Sequence, residues 1–216
     1  MDLAKSYVKR FSKMREGIIK ELGAESIPFV VFQVAYSNFG EKDDELDKKW
    51  GTVREELRRL GHEFGDIYVI PTTDSTYSDF IHISASANVR LGERAAKAVL
   101  HHLFGKNYMC DAPDISKARW VDDETVEVSF DNVYEHLEAR VEGKKLAIKA
   151  QDSEGIINVL EYEIKGHNKM LLKFERKPGK ESVLHCGYTK IMEDFIPFDF
   201  ATHLPILSFY KIKIED

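Results

Sequence analysis

Asp79-Phe80-Ile81-His82 is the grouping in this 216-residue sequence with the clearest chemical capacity. A histidine that works as a general base needs a carboxylate on its second ring nitrogen, which fixes the tautomer and stabilises the imidazolium. With only two residues between them, both groups can be held by one tight loop. The same spacing also suits a plain loop in which Asp79 turns the chain and His82 faces water. Position favours chemistry: the pair follows a strand pattern ending at Pro71 and precedes a helical pattern, and doubly wound folds carry their sites in such loops.

A base needs a nucleophile. Ser37, Ser75, Ser78, Ser84 and Ser86 are near in sequence, yet none sits in a Gly-x-Ser-x-Gly elbow or a glycine-flanked turn from strand to helix. Ser84 and Ser86 read more simply as helix N-terminal caps. His101-His102 closes a helical stretch, where cationic side chains suit the helix dipole, a reading preferred here to metal ligation. His62, His136, His167, His185 and His203 show no ligand spacing of the HExxH kind. Cys110 and Cys186 are far apart and no CxxC occurs, which excludes a disulfide-rich scaffold and a cysteine-built zinc site. No metal and no cofactor is expected.

The elements that must position the pair differ between the two halves. In the first, Tyr7, Phe11, Met14, Ile18 and Leu22 recur every three or four residues, and Gly23 stops the helix they imply. Ile27 to Tyr36 is apolar on both sides, as a strand covered by helices on both faces would be. The charged run Glu41 to Lys49 reads as a solvated loop into a second helix with Trp50, Val53, Leu57 and Leu60, closed by Gly61; Trp50 is expected to pack that helix rather than bind sugar. A short strand Ile67 to Ile70, a polar loop and a helix from about Ser84 to Leu103 complete the half. From there the period becomes two: Val126/Val128/Phe130, Leu146/Ile148/Ala150, Leu160/Tyr162/Ile164, Met170/Leu172/Phe174, Leu184/Cys186/Tyr188 and Tyr210/Ile212/Ile214. Turns are expected at Glu142-Gly143-Lys144, Lys165-Gly166-His167-Asn168 and Lys177-Pro178-Gly179-Lys180. The expectation is α/β plus β: a partial doubly wound three-layer domain over residues 1–106, then an antiparallel β-sandwich over 107–216. Two parallel strands cannot cover three amphipathic helices, so part of the sheet is expected to be missing from the chain.

With 31 Lys and Arg against 37 Asp and Glu, the net charge is −6 and no basic footprint points to nucleic acid. No apolar run approaches the ~18 residues of a membrane span. The opening MDLAKSYVKRF lacks the apolar stretch of a secretory signal, so the chain as it stands reads as cytoplasmic.

DFIHISASANVRLGERAAKAVL resembles the DxxH block of the SGNH hydrolases, followed by its leucine-glycine-x-arginine helix. PFVVFQVAYSNF and WGTVREELRRL resemble the preceding segment of sialate O-acetylesterase-type carbohydrate esterases, with Gln33, Ala35, Trp50, Arg54 and Glu55 at the matching positions. Asp74, after two threonines, stands where those enzymes often carry Thr-x-Asp. DETVEVSFDNVYEHLEA, LHCGYTKIM and HLPILSFYKI resemble their closing β module. The resemblance implies an SGNH/flavodoxin-like α/β/α domain, with His82 and Asp79 as two members of a Ser-His-Asp triad that removes acetyl esters from sugars. It implies an acetylated carbohydrate as substrate. Ile83 replaces a common proline, Leu57 a common glutamine, and the family's N-terminal Gly-x-Ser block is not found. The chain therefore reads as the C-terminal portion of such an esterase, with self-association a further expectation. Two other readings stay open: a non-catalytic carbohydrate-binding or scaffolding remnant, and a complementing subunit that needs a serine-bearing partner chain.

Overall fold

The computed structural model describes residues 4–139, 145–179, 181–192 and 194–216. The turn expected at Glu142-Gly143-Lys144, and Lys180 of the turn at 177–180, lie outside the described residues. After a short 3-10 turn at Ala4–Ser6, helix α1 (Tyr7–Leu22) ends where Gly23, at φ 62°, adopts the left-handed conformation and donates to Ile19 and Lys20 carbonyls. Strand β1 (Phe29–Phe32) pairs in parallel with β2 (Ile67–Ile70) in the register Phe29 to Ile67. Between them, helix α2 (Asp44–Glu63) begins earlier and ends later than the sequence suggests. Asp43 caps it, accepting from the Glu45 and Leu46 N–H groups at 2.9 and 3.1 Å. Asp44, Glu45 and Asp47 in its first turn complement the positive end of the dipole. The charged run is thus largely the helix start, not a loop. Helix α3 (Ala85–His102) has Ser84 as its N-cap, as expected.

Alternate residues of the two strands face different helices. Phe29, Val31 and Ile67 pack with Val8, Phe11, Leu57 and Leu60 of α1 and α2, whereas Val30, Tyr68 and Ile70 pack with Leu91 and Ala98 of α3. Helices therefore cover both faces of a two-stranded parallel sheet.

The second half is one large antiparallel sheet rather than the expected sandwich of two. Its strands are β3 (Asp114–Trp120), β4 (Thr125–Asp131), β6 (Ile148–Asp152), β7 (Gly155–Lys165), β8 (Lys169–Phe174), β9 (Val183–Cys186) and β11 (Phe209–Lys213), in the order β11-β9-β6-β7-β8-β4-β3. A separate pair joins β5 (Leu137–Glu138) to β10 (Phe198–Asp199). The long strand β7 prevents division into two sheets: its first residues pair with β6 and its last with β8. A bulge between Val159 and Glu161 bends it at the changeover and resets its alternation, so Leu160 points to water at 60% exposure instead of into the core. The edges then meet: Glu215, just past β11, donates its N–H to Ala118 and accepts from Trp120 N–H at 2.9 and 3.0 Å, making the sheet nearly barrel-like. Val126, Val128, Phe130, Met170, Leu172 and Leu184 fill the interior with no exposure. Among the described residues no helix is long and apolar enough to cross a membrane.

The two halves are joined by polar side chains, most of which bond to backbone. The Gln33 amide donates to Ser208 O at 2.9 Å and accepts from Ser208 N at 2.9 Å, which continues the hydrogen-bonding habit of a strand through a side chain. Arg54 has no exposure; it donates to Val34 O (2.7 Å), Gly187 O (2.5 Å) and Thr189 O (2.7 Å), its guanidinium 4.4 Å from the centre of the Tyr36 ring. Glu55 accepts from Tyr210 N–H, Arg58 donates to Asp114, and Asp47 accepts from Lys190 N–H.

Candidate active site

Parallel pairing puts the carboxyl ends of β1 and β2 side by side, so the segments that leave them meet. Thr72 Oγ1 donates to Gln33 O at 2.8 Å, and Asn38 N–H donates to Phe80 O at 2.7 Å. Within the second segment, an antiparallel bridge between Tyr77 and Ile83, with Ser84 N–H on Thr76 O and Ser78 N–H on His82 O, makes a small closed loop. Asp79 holds its tip. One carboxylate oxygen accepts from the Ile81 and His82 N–H groups at 2.8 and 2.7 Å, and the other lies 2.6 Å from His82 Nδ1. Asp and Asn commonly turn a chain by bonding backbone two and three residues on, and here the same carboxylate also orients the imidazole.

The His82 ring bond, followed by the His82 and Ile81 N–H groups, pushes the Asp79 carboxyl down to about 2. An ionised carboxylate only accepts, so Nδ1 carries the proton and a neutral ring keeps its lone pair on Nε2. No described residue hydrogen-bonds Nε2, and the side chain is 70% exposed. The geometry is one that a general base with an orienting carboxylate would require. Asp79 and His82, singled out in the sequence, are thus hydrogen-bonded to each other in the structure.

The local serines do not complete it. Ser84 Oγ accepts from Ala87 N–H as the cap of α3, and Ser86 bonds Ser84. Ser75 is buried, Ser78 Oγ points to the His82 carbonyl at 3.3 Å, and Ser37 is tied through its N–H to Lys190 O. Among the described residues no serine hydroxyl bonds the His82 ring. A cleft of about 280 Å³ among the described residues is lined by Asp74, Thr73, Tyr36 and Ile196 but not by Asp79 or His82.

Asp74 serves the loop rather than the base. Its carboxylate takes a two-pronged bond from Arg94 at 2.8 and 2.5 Å, while the same guanidinium donates to Pro71 O at 3.0 Å. The arginine of the leucine-glycine-x-arginine helix thereby clamps the segment that leaves β2. Trp50 Nε1 donates to Ala35 O at 3.0 Å, securing the segment that leaves β1. The signature residues Gln33, Trp50, Arg54 and Arg94 therefore hold the frame on which the pair sits.

Residues 1–101 match the family of carbohydrate esterases described as sialic acid-specific acetylesterases. The resemblance seen in the DxxH block and the strand-to-helix segment before it is thus a match over one continuous stretch. A solved structure also offers a counterpart for the fold of the second half of the chain. A carbohydrate acetylesterase from Xanthomonas citri superposes with a TM-score of 0.78 at 20% identity, covering 95% of this chain and 46% of that one. The chain thus spans about half the length of that enzyme. The N-terminal part of a bacterial S-layer protein aligns over 76% of this chain and 32% of that one, at 6% identity and a TM-score of 0.34, too distant to bear on the site. No curated protein matches the chain significantly.

Proposed function

We propose that this chain is the C-terminal catalytic portion of a sialate O-acetylesterase-like enzyme, which supplies base and carboxylate to a Ser-His-Asp triad. The observation that carries the reading is the exposed Asp79–His82 pair, bonded at 2.6 Å beyond the carboxyl end of a parallel strand. In this reading residues 1–106 are part of a doubly wound SGNH-type domain and residues 107–216 its β module. A serine from a preceding segment, or from a separate chain, approaches Nε2. Its Oγ attacks the acetyl carbonyl of an acetylated sugar as Nε2 takes the proton. The proton passes to the departing sugar oxygen, leaving an acetyl-serine; Nε2 then deprotonates the water that releases acetate. Asp79 stabilises the imidazolium at both steps.

The open surroundings of the pair support the same reading, because the walls of a sugar pocket are not supplied by the nearby residues. Phe80 and Ile81, flanking the base, are 67% and 48% exposed, apolar surface suited to cover by another segment. The test is acetyl-ester hydrolysis by this chain joined to a serine-bearing N-terminal segment. His82→Ala should lower kcat/KM by about 10³-fold or more, and Asp79→Asn should lower kcat with little change in KM. Full activity in His82→Ala rejects the assignment.

A further inference from the structure

The end of α3 carries a second cluster that the esterase reading does not use. His101 and His102 close the helix, and the following segment returns to place Cys110 and Asp111 against them. One donor atom from each of these four residues lies within 4.8 Å of the other three. His102 Nε2 is 2.7 Å from Asp111 Oδ1 and 3.9 Å from the Cys110 sulfur. The cluster is built rather than incidental. The His102 ring is stacked on Tyr68 with centroids 4.1 Å apart, and His101 Nδ1 is held 2.8 Å from Lys106 O. Cys110 is buried, while the other three are only partly exposed.

We propose that His101, His102, Cys110 and Asp111 form a binding site for a zinc-like divalent cation. A thiolate, two imidazoles and a carboxylate are the donors that such an ion takes in four-coordinate sites, whereas a calcium or magnesium site would be built of oxygen. Around one tetrahedral ion with bonds of about 2.0–2.3 Å, donors stand roughly 3.3–3.6 Å apart. The His102–Asp111 contact at 2.7 Å would open and the His102–Cys110 contact at 3.9 Å would close, each by less than about 1 Å, to meet that spacing, with the remaining donors drawn in from within 4.8 Å. The negative end of the α3 dipole adds a field that favours a cation. Entry is open: His102 and Asp111 line a cleft of about 310 Å³ together with His62, Tyr68 and Asp114. Binding displaces the Cys110 thiol proton to solvent, while each imidazole ligates through a ring-nitrogen lone pair and the Asp111 carboxylate through an oxygen. The ion would tie the end of α3 to the segment that enters β3, and so brace the junction of the two halves.

The sequence argues against this site because the spacing is unlike CxxC or HExxH; the ligands converge only when residues 103–109 fold back. The experiment is titration of the purified chain with Co²⁺. One equivalent should produce a thiolate-to-cobalt charge-transfer band and tetrahedral visible bands. Cys110→Ser should abolish the charge-transfer band, and His102→Ala should weaken binding at least 10-fold. His82→Ala and His167→Ala should bind like the parent. As a check needing no variant, Zn²⁺ should slow alkylation of Cys110 in the parent protein. Absence of the charge-transfer band in the parent, its survival in Cys110→Ser, or unchanged alkylation overturns the site.

Discussion

Arg54 shows how a single residue can join two structures. It has no solvent contact and, among the described residues, no carboxylate partner; three backbone carbonyls and the Tyr36 face substitute for water. Burial lowers its pKa, the nearby Tyr36 opposing. Replacing it with methionine leaves the carbonyls of Val34, Gly187 and Thr189 without their donor, at about 1–3 kcal/mol for an unsatisfied buried group. We expect Arg54→Met to lose about 3 kcal/mol or more by urea unfolding, and Arg54→Lys not to restore it, since one ammonium cannot reproduce the planar fork. His185 makes the opposite case, a buried histidine kept neutral. Lys211 N–H donates to its Nδ1 and Nε2 lies 2.9 Å from Gln151 Oε1, so the ring has one acceptor and one donor nitrogen already employed. Burial, with Lys211 adding to it, pushes its pKa down from 6.5 to about 3. The folded-state value is depressed, so the unfolded chain binds the extra proton first. The stability from neutral His185 is full above about pH 6.5 and is lost as pH falls toward 3, by about 1.4 kcal/mol per pH unit within that window. Unfolding free energies measured at pH 7 and pH 5 should differ more in the parent than in His185→Gln; equal pH dependence would rule out this histidine as a source.

Helix α2 is the element that receives both halves, and glycine decides how closely. A Cβ built at Gly51 would stand 2.9 Å from Tyr210 Cδ2 and 3.0 Å from Tyr188 Cβ. Tyr210 cannot swing away cheaply, being stacked against His185 with centroids 4.5 Å apart. Gly51→Ala should therefore destabilise the protein by about 1–3 kcal/mol despite alanine's better helix propensity. Gly17, in α1, has nothing within 4 Å of a built Cβ, so Gly17→Ala should stabilise by roughly 0.5–1 kcal/mol. The opposite signs, read by thermal melts of the two variants, separate packing from propensity. Such contacts mark the limit of what was legible in the sequence. Local rules revealed the Gly23 stop, the Ser84 cap, the period-two strands and the Asp79–His82 pair, because each depends on neighbours within a few residues. The early start of α2 was hidden by reading charges as solvation instead of as a first turn beside an aspartate cap. The closure of the sheet through Glu215, the bulge in β7 and the convergence of His101, His102, Cys110 and Asp111 arise from long-range return of the chain, for which composition and period carry no signal. Gln33 and Arg54 stood out only as signature residues, and their work in docking the β half became visible with the fold.

At the scale of the molecule, the Asp79–His82 pair and the exposed apolar surface coincide. Phe39 and Phe80 are each 67% exposed on segments joined by the Asn38–Phe80 bond, Ile81 is 48% exposed, and Phe32 at the end of β1 is 40% exposed. Among the described residues β1 and β2 pair only with each other, so each presents an unpaired edge. Covering about 400 Å² of apolar surface would contribute roughly 10 kcal/mol. That is comparable with the roughly 4–15 kcal/mol lost in rigid-body freedom when two proteins associate, and backbone pairing along an edge adds to it. The 216-residue chain on its own is therefore expected to sediment as oligomers, and Phe39→Ser with Phe80→Ser should shift it toward monomer without a comparable loss of stability, since neither ring is buried. The same surface accounts for an expected lack of activity. Under the proposed function, and with no serine hydroxyl bonded to the His82 ring among the described residues, the chain should hydrolyse p-nitrophenyl acetate no faster than its His82→Ala variant, and joining a serine-bearing segment should restore hydrolysis and the monomer together. A parent chain that sediments as a stable monomer, or that shows His82-dependent hydrolysis alone, would mean that the exposed pair is already complete and that this surface has another purpose.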